Sequence, residues 1–131
     1  MAGGISVILD TCALLWLVNN DRKLSRVALK SIREAPFVYI SAISGFEIAH
    51  KESAGKLSIA KSSTDWFQEA VEQHGLTILG LDSEICVAAA QLPFHHRDPC
   101  DRFIIATALL NHLTVVTADE RFEEYGVPIL I

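Results

Sequence analysis

Hydrophobic positions along the chain follow two alternating patterns. Short continuous runs of apolar and often β-branched residues predict buried strands, at 5–9, 37–40, 76–81, 113–117 and 128–131. Between them, apolar residues recur at helical spacing. This spacing predicts helices at 12–19, 25–34, 43–54, 63–73, 83–91 and 102–111, and a short helical turn at 120–123.

The order of these elements indicates the class of fold. Strands alternate with helices, and the strands are continuously apolar, which is typical of a mostly parallel sheet covered by helices on both faces. With 131 residues, of which 50% are hydrophobic, we expect a single α/β domain over residues 1–131. The longest apolar stretch is interrupted by Asn111 and His112, so we expect no membrane span. The N-terminus lacks the basic region of a secretion signal, and we expect a cytoplasmic protein.

Cysteine spacing and net charge narrow the classes of function. Cys12, Cys86 and Cys100 form no C-x-x-C pair, which argues against a thiolate zinc site or a disulfide framework. The formal net charge of -5 counts mildly against a protein that coats nucleic acid through clustered Lys and Arg, although a local basic groove remains compatible with it.

Acidic residues follow the predicted strands at one edge of the sheet. In a parallel sheet the helix N-termini lie at the edge formed by the carboxyl ends of the strands, where ligands bind. Asp10 ends the first strand, Glu47 lies shortly after the second, Asp101 opens the helix before the fourth, and Asp119 follows the fourth. We therefore expect four carboxylates from distant parts of the chain to converge there.

Each acid taken singly is also typical of a helix start. Asp82 lies at the same edge and geometry alone does not distinguish it from the four, so we assign it to a cap of the helix near residue 83. The capping alternatives are Asp10 and Asp119 as N-caps, Ser44 and Glu47 as a capping box, and Asp98 as an N-cap with Pro99 at N1 and Asp101 at N3.

Electrostatics favours a shared cation over independent caps. Crowded carboxylates raise one another's pKa, so a positive group should lie among them. The four acids account for -4 of the net -5, which leaves -1 for the rest of the chain. Oxygen ligands without a nearby Cys or suitably spaced His favour Mg²⁺ or Mn²⁺ over zinc.

These residues occur in four segments that resemble the PIN-domain ribonucleases, in particular the VapC-type toxins of toxin–antitoxin pairs. The resemblance covers almost the whole chain, and the order and spacing of the segments make it specific. The segments are VILDTCALLW at 7–16, ISAISGFEIAHKESAGKL at 40–57, HRDPCDRFIIATAL at 96–109 and LTVVTADERFEEYGVPIL at 113–130.

The resemblance implies a three-layer α/β/α sandwich and a metal site. Its motif positions make Asp10, Glu47, Asp101 and Asp119 the Mg²⁺ or Mn²⁺ ligands, with Asp98 the less favoured alternative to Asp101. It implies hydrolysis of RNA phosphodiester bonds by a metal-activated water, which leaves a 5′-phosphate on the downstream fragment. Other candidates are Thr11, Thr117 and Asp98 as groups that orient the ligands, and Arg102, Arg97 and Lys51 as RNA contacts, each with an ordinary capping or surface role as the alternative.

The resemblance also implies partners, namely the RNA substrate, a cognate antitoxin and a second copy of the chain. The first helix is apolar nearly all round, so Leu14, Trp16 and Leu17, with Trp66 and Phe67, are candidates for a partner surface, although for each residue taken singly we favour core packing. The five histidines show no ligand spacing, and we interpret them as surface or capping residues, with His95 and His96 nearest the site.

Two other classes of function share parts of this pattern. A phosphorylatable receiver-like domain needs a Lys after a late strand and paired acids after the first, whereas this chain has GLDSE, VTADE and a single Asp10. A haloacid-dehalogenase-like phosphatase needs D-x-D where this chain has DTC. A PIN-like domain that only binds RNA or protein is the third alternative, and the full set of acids argues against it.

Overall fold

A computed structural model describes residues 4–131 as a five-stranded parallel sheet between helices. The strands are β1 (Val7–Leu9), β2 (Val38–Ser41), β3 (Leu76–Leu79), β4 (Thr114–Val116) and β5 (Ile129–Leu130). The helices are α1 (Thr11–Val18), α2 (Arg26–Glu34), α3 (Ala42–Ser53), α4 (Ser63–His74), α5 (Ser83–Gln91), α6 (Pro99–Asn111) and the 3₁₀ helix η1 (Glu120–Tyr125). The predicted α/β fold and its element order are confirmed.

The sheet order β3-β2-β1-β4-β5 places the first strand at its centre. Val7 and Leu9 of β1 face one apolar core with residues of α1, α2 and α4, whereas Ile8 faces a second core with α6 and η1. Burial on both faces explains why β1 is continuously apolar instead of alternating, whereas β3, at the edge of the sheet, exposes Thr77 and Ile78, contrary to its prediction as a buried strand. The chain runs from β1 to β2 and β3 on one side and returns to β4 on the other, so the strand order reverses between β1 and β4. A reversal of this kind opens a crevice at the carboxyl ends of the strands.

Four helix starts differ from prediction, those of α1 and α2 by one residue each and those of α3 and α6 in ways that bear on the site. Helix α3 begins at Ala42 with Ser41 as its N-cap, because the Ser41 hydroxyl accepts a hydrogen bond from the Ile43 amide at 3.1 Å. The predicted capping box of Ser44 and Glu47 is therefore wrong, and Glu47 lies in the second helical turn. Helix α6 begins at Pro99 instead of residue 102, with the predicted cap in place.

The predicted caps at Asp82 and Asp98 are confirmed. Asp82 accepts a hydrogen bond from the Ile85 amide at 2.9 Å, and Asp98 accepts one from the Cys100 amide at 2.9 Å. Each carboxylate thereby satisfies a backbone donor that the helix itself leaves free. Among residues 4–131, no helix is both long and apolar enough to cross a membrane.

Candidate active site

Asp10 and Asp119 lie at the crevice between β1 and β4. The Asp10 amide donates to the Val116 carbonyl at 3.1 Å, which continues the pairing of the two strands as far as the acid. Asp10 also caps α1, with Oδ1 accepting from the Ala13 amide at 2.8 Å. The Thr117 hydroxyl hydrogen-bonds Asp10 and accepts from the Asp119 amide at 3.0 Å, so this buried threonine joins the two acids.

Glu47 reaches the same crevice from α3. The Thr11 and Ser44 hydroxyls lie 2.9 Å apart in the interior and connect the first turn of α1 to the turn of α3 that precedes Glu47. Lys51, one turn later, places Nζ 3.2 Å from Glu47 Oε2. Among residues 4–131, Glu47 Oε1 is the one buried side-chain oxygen or nitrogen without a hydrogen-bond partner. Such an atom normally has a partner, so this oxygen points to a ligand.

Asp98 and Asp101, at the start of α6, have different structural roles. Asp98 is occupied as the helix cap, whereas Asp101 extends toward Asp119 and the buried ring of His96. His96 Nε2 lies 3.0 Å from Asp101 Oδ2 and 2.8 Å from Asp119 Oδ2. Ligand atoms of these three residues all lie within 4.8 Å of one another. The predicted preference for Asp101 over Asp98 is therefore supported by position, although the metal role of either acid stays a prediction.

His96 is a site residue that the sequence interpretation misplaced. It is 2% exposed, where a surface or capping role was predicted. Its proximity to the site followed from HRDPCD, but histidine spacing carried no signal because its partners are carboxylates from two separate elements. The usable signal is its position two residues before the cap Asp98, whose amide donates to His96 Nδ1 at 3.1 Å.

Burial and neighbouring charges shift the pKa values of the carboxylates at the site. Burial, followed by the charges of Asp98, Asp10, Glu47 and Asp119, raises the pKa of Asp101 to about 8. Burial also raises the pKa of Asp10, and the charges of Glu47 and Asp119 add to the effect. The Arg121 guanidinium holds the pKa of Asp119 well below its usual range, at about 2, with Nε 3.0 Å from Oδ1 and an Nη 2.7 Å from Oδ2. The positive groups expected among the acids are therefore Lys51 and Arg121, which offset the cluster only in part.

Two thiols border the acids. Burial and the neighbouring carboxylates raise the pKa of Cys100 to about 11, and burial with the charge of Asp10 raises that of Cys12. Both thiols stay protonated near neutral pH, and a protonated thiol is a poor metal ligand. The donors that remain are the carboxylate oxygens and the His96 nitrogen, and the predominance of oxygen suits a hard cation.

The predicted RNA contacts differ in position. Arg97 is exposed, and Lys51 is half-buried and paired with Glu47. Arg102 is 7% exposed, and its guanidinium donates to the carbonyls of four residues, Ala90, Leu92, Pro93 and His96, at 2.7 to 3.3 Å. With its donors turned inward, Arg102 is poorly placed to contact phosphate, contrary to the prediction. Leu14 is fully buried in the core, which confirms the favoured interpretation and excludes it from a partner surface. Trp16, Leu17, Trp66 and Phe67 pack partly buried against that core.

Comparison with known proteins connects this geometry to a family. Residues 7–128 match the family model of the PIN domain. The chain belongs to the PIN-domain family. This PIN domain is 31% identical over 124 residues to ribonuclease VapC22 of Mycobacterium tuberculosis, with 94% of each chain covered. The resemblance seen in the sequence is thereby confirmed.

Solved structures share the fold of this PIN domain over nearly its whole length. A chain of the VapBC2 complex from Rickettsia felis, bound to a promoter DNA fragment, superposes with a TM-score of 0.70 at 15% identity, covering 96% of this chain and 98% of that one. A chain of the DNA-bound VapBC complex of Salmonella typhimurium gives 0.69 at 21% identity, covering 96% and 97%. FitAcB from Neisseria gonorrhoeae gives 0.63 at 25% identity, covering 95% and 96%.

Proposed function

We propose that this PIN domain is a divalent-metal-dependent endoribonuclease and the toxin of a toxin–antitoxin pair. The proposal rests on Asp101, whose pKa the nearby charges of Asp10, Glu47 and Asp119 help to raise, on the cluster of Asp101 with Asp119 and His96, and on one buried Glu47 oxygen without a partner. Similarity to ribonuclease VapC22 supports RNA as the substrate. The domain is proposed to extend over residues 1–131.

The residues fit Mg²⁺ or Mn²⁺ by their chemistry. Four carboxylates supply oxygen ligands, their mutual repulsion is incompletely offset by Lys51 and Arg121, and Glu47 Oε1 lacks a donor. Asp10, Glu47, Asp101 and Asp119 would hold the ion. When bound, such an ion activates water and screens the charge of the scissile phosphate.

The chain's own groups position this chemistry. Thr117 orients Asp10 and fixes the backbone of Asp119, while the Thr11–Ser44 contact sets α1 against α3. Lys51 holds Glu47 and leaves its second oxygen directed inward. Exposed Arg97 lies one residue before the cap of α6 and is a candidate for a phosphate contact, as is half-buried Lys51. Arg102 acts indirectly, through the loop that it holds.

Partners are proposed from similarity and from exposed apolar side chains. The VapBC complexes among the structural relatives support an antitoxin partner, and a homodimer is proposed alongside it. Val87 on α5, Leu109 and Leu110 on α6, and Phe94 before α6 are all exposed, and exposed apolar side chains of this kind are candidates for association. Light scattering on the purified chain would measure a dimer mass if the homodimer proposal holds and a monomer mass if it fails.

Cleavage of RNA tests the proposed activity. We expect the purified chain to cleave single-stranded RNA with Mg²⁺ or Mn²⁺, to stop in excess chelator, and to leave 5′-phosphate ends. Asp10→Ala and Asp101→Asn should abolish cleavage, whereas Asp82→Asn, which keeps a side-chain oxygen to cap α5 at the same edge, should retain it. Cleavage that persists in chelator would contradict the metal mechanism. Stable phosphorylation by a small phosphodonor without RNA loss would instead indicate a receiver-like domain.

A further inference from the structure

The His96 side chain lies between two candidate metal ligands, Asp119 and Asp101. It lies in the segment between α5 and α6, with its ring edge-on to Phe122 at 5.8 Å and 85°. Nε2 is within hydrogen-bond distance of both Asp119 and Asp101. One nitrogen therefore contacts acids carried by η1 and by α6.

The opposite nitrogen of the ring determines where its proton lies. The Asp98 amide donates to Nδ1 at 3.1 Å, and an amide can donate only to a ring nitrogen with a free lone pair. The network therefore assigns the neutral tautomer with its proton on Nε2. The Nε2–H is then donated to Asp119 Oδ2 at 2.8 Å, and Asp101 Oδ2 lies 3.0 Å from the same nitrogen.

We propose that His96 is a positioning residue that uses its Nε2–H to hold the Asp101 and Asp119 carboxylates together across the crevice. This inference rests on the proposed function, since the two acids matter as a pair only if they share a cation. A nitrogen that carries a proton has no lone pair to give a metal, so His96 orients ligands instead of serving as one. Its hydrogen bond goes to Asp119 Oδ2 and its second contact is with Asp101 Oδ2, so His96 engages one oxygen of each carboxylate.

The backbone around His96 is held from both sides. Its amide donates to the Tyr125 hydroxyl at 2.8 Å, and that hydroxyl donates to the Pro93 carbonyl at 2.7 Å. Its carbonyl accepts from Arg102 at 3.2 Å. The ring is thus fixed by α6 and η1, the two elements whose acids it joins, and buried Arg102 gains a role that does not involve RNA.

The alternative is that His96 Nε2 itself binds the metal. That geometry requires the proton on Nδ1, where it would face the Asp98 amide hydrogen at the 3.1 Å contact. Two donors facing each other repel, and the amide that now has a partner would lose it. The two roles therefore predict opposite tautomers.

Nitrogen NMR of the metal-free full chain distinguishes these tautomers without any variant. Spectra of ¹⁵N-labelled protein, correlated through the ring carbon-bound protons, should show His96 with a protonated Nε2 and an unprotonated Nδ1. A ring protonated on Nδ1, alone or together with Nε2, would overturn the inference. A His96→Gln sample identifies the resonance.

Two variants separate the hydrogen-bond donor from the bulk of the side chain. His96→Gln can place an amide N–H near Nε2, whereas His96→Asn reaches only as far as Nδ1. We expect Mn²⁺ affinity to fall about 10–100-fold in His96→Asn and to stay within about threefold of wild type in His96→Gln. His95→Ala, one residue away and exposed, should leave affinity unchanged. Thermal unfolding checks that each variant is folded.

Equal loss of Mn²⁺ affinity in the Gln and Asn variants would overturn the inference, because a role in packing alone treats the two alike. Failure of the proposed function has a different signature. Wild-type protein would then neither bind Mn²⁺ nor cleave RNA, whereas failure of the inference leaves wild-type binding intact and changes only the tautomer or the order of the variants.

Discussion

Lys51 Nζ lies 3.2 Å from Glu47 Oε2, while the other oxygen of the same carboxylate is buried without a partner among residues 4–131. The lysine neutralises one oxygen of Glu47 and leaves the buried oxygen unsatisfied. Because an unpaired buried acceptor is costly, a cation at that oxygen would stabilise the folded chain. The pair thus identifies Glu47 Oε1 as the oxygen that is available to a metal.

Replacement of Glu47 tests this interpretation. Glu47→Gln keeps the shape of the side chain but removes its charge, and we expect RNA cleavage at fixed Mg²⁺ to fall by about 100-fold or more, because even partners of metal ligands typically contribute 10–100-fold. Glu52→Gln, exposed near the end of the same helix, should cleave like wild type. Equal cleavage rates for Glu47→Gln and Glu52→Gln would show that Glu47 is not a metal ligand.

The raised pKa of Asp101 predicts a pH-dependent stability in metal-free protein. Its folded-state pKa of about 8 exceeds its ordinary value of 3.8, so the folded chain holds a proton that the unfolded chain releases between these values. Stability should therefore fall as pH rises from about 4 to about 8, by roughly 1–3 kcal/mol from this group. The lowered pKa of Asp119, about 2, acts below this window, where its contribution is lost as pH falls.

Urea unfolding at pH 5 and pH 8 measures this effect. Asp101→Asn should lose less stability between the two pH values than wild type, and added Mg²⁺ should restore wild-type stability at pH 8. Parallel decline of wild type and Asp101→Asn would show that the Asp101 carboxyl is not held in a repulsive environment. Asp82→Asn provides the matched control.

Arg102 is expected to act on stability before it acts on RNA. Its guanidinium satisfies four backbone carbonyls and lies 4.9 Å from the centre of the Phe94 ring. Arg102→Ala should lower the free energy of unfolding by about 2–4 kcal/mol, because it leaves buried carbonyls without donors. Arg97→Ala should change it by no more than about 0.5 kcal/mol, since Arg97 is exposed. A variant of Arg102 with full stability but weaker RNA binding would restore the phosphate role predicted from sequence.

The two acids of α6 can be ranked by metal affinity. One oxygen of Asp98 accepts a hydrogen bond from the Cys100 amide, and an Asn at this position would also cap the helix. Asp101→Asn should weaken Mn²⁺ binding by about tenfold or more beyond any loss in Asp98→Asn, as expected when a direct ligand is compared with its neighbour. Calorimetric titration measures both, and a larger loss in Asp98→Asn would reverse the assignment.

The fold and the edge of the sheet at which the acidic residues lie could be predicted from the sequence, because both depend on local signals. Continuous apolar strands predict burial on both faces, and an acid directly after a strand must lie at the carboxyl edge of the sheet, as Asp10 does. Capping and clustering were posed as alternatives, yet Asp10 does both, since a carboxylate has two oxygens.

Contacts between residues that are distant along the chain could not be predicted from the sequence. Arg102 follows Asp101 directly, but its helical position turns it toward the carbonyls before α6, and nothing in the motif encodes that direction. His96 meets acids 5 and 23 residues away along the chain, a spacing without a recurring pattern. The start of α3 shifted because Ser41 and Ser44 are both acceptable caps, and strand pairing of β2 as far as Ser41 decides between them.

A crystal structure of the full chain with Mn²⁺ would test directly whether the acidic residues share a metal ion, because the anomalous scattering of Mn²⁺ locates the ion. We expect a Mn²⁺ peak at the β1–β4 crevice, with carboxylate oxygens of Asp10, Glu47, Asp101 or Asp119 at about 2.1–2.3 Å from it. A crevice without metal, in which Lys51, His96 and Arg121 alone neutralise these acids while Mn²⁺ binds elsewhere, would contradict it.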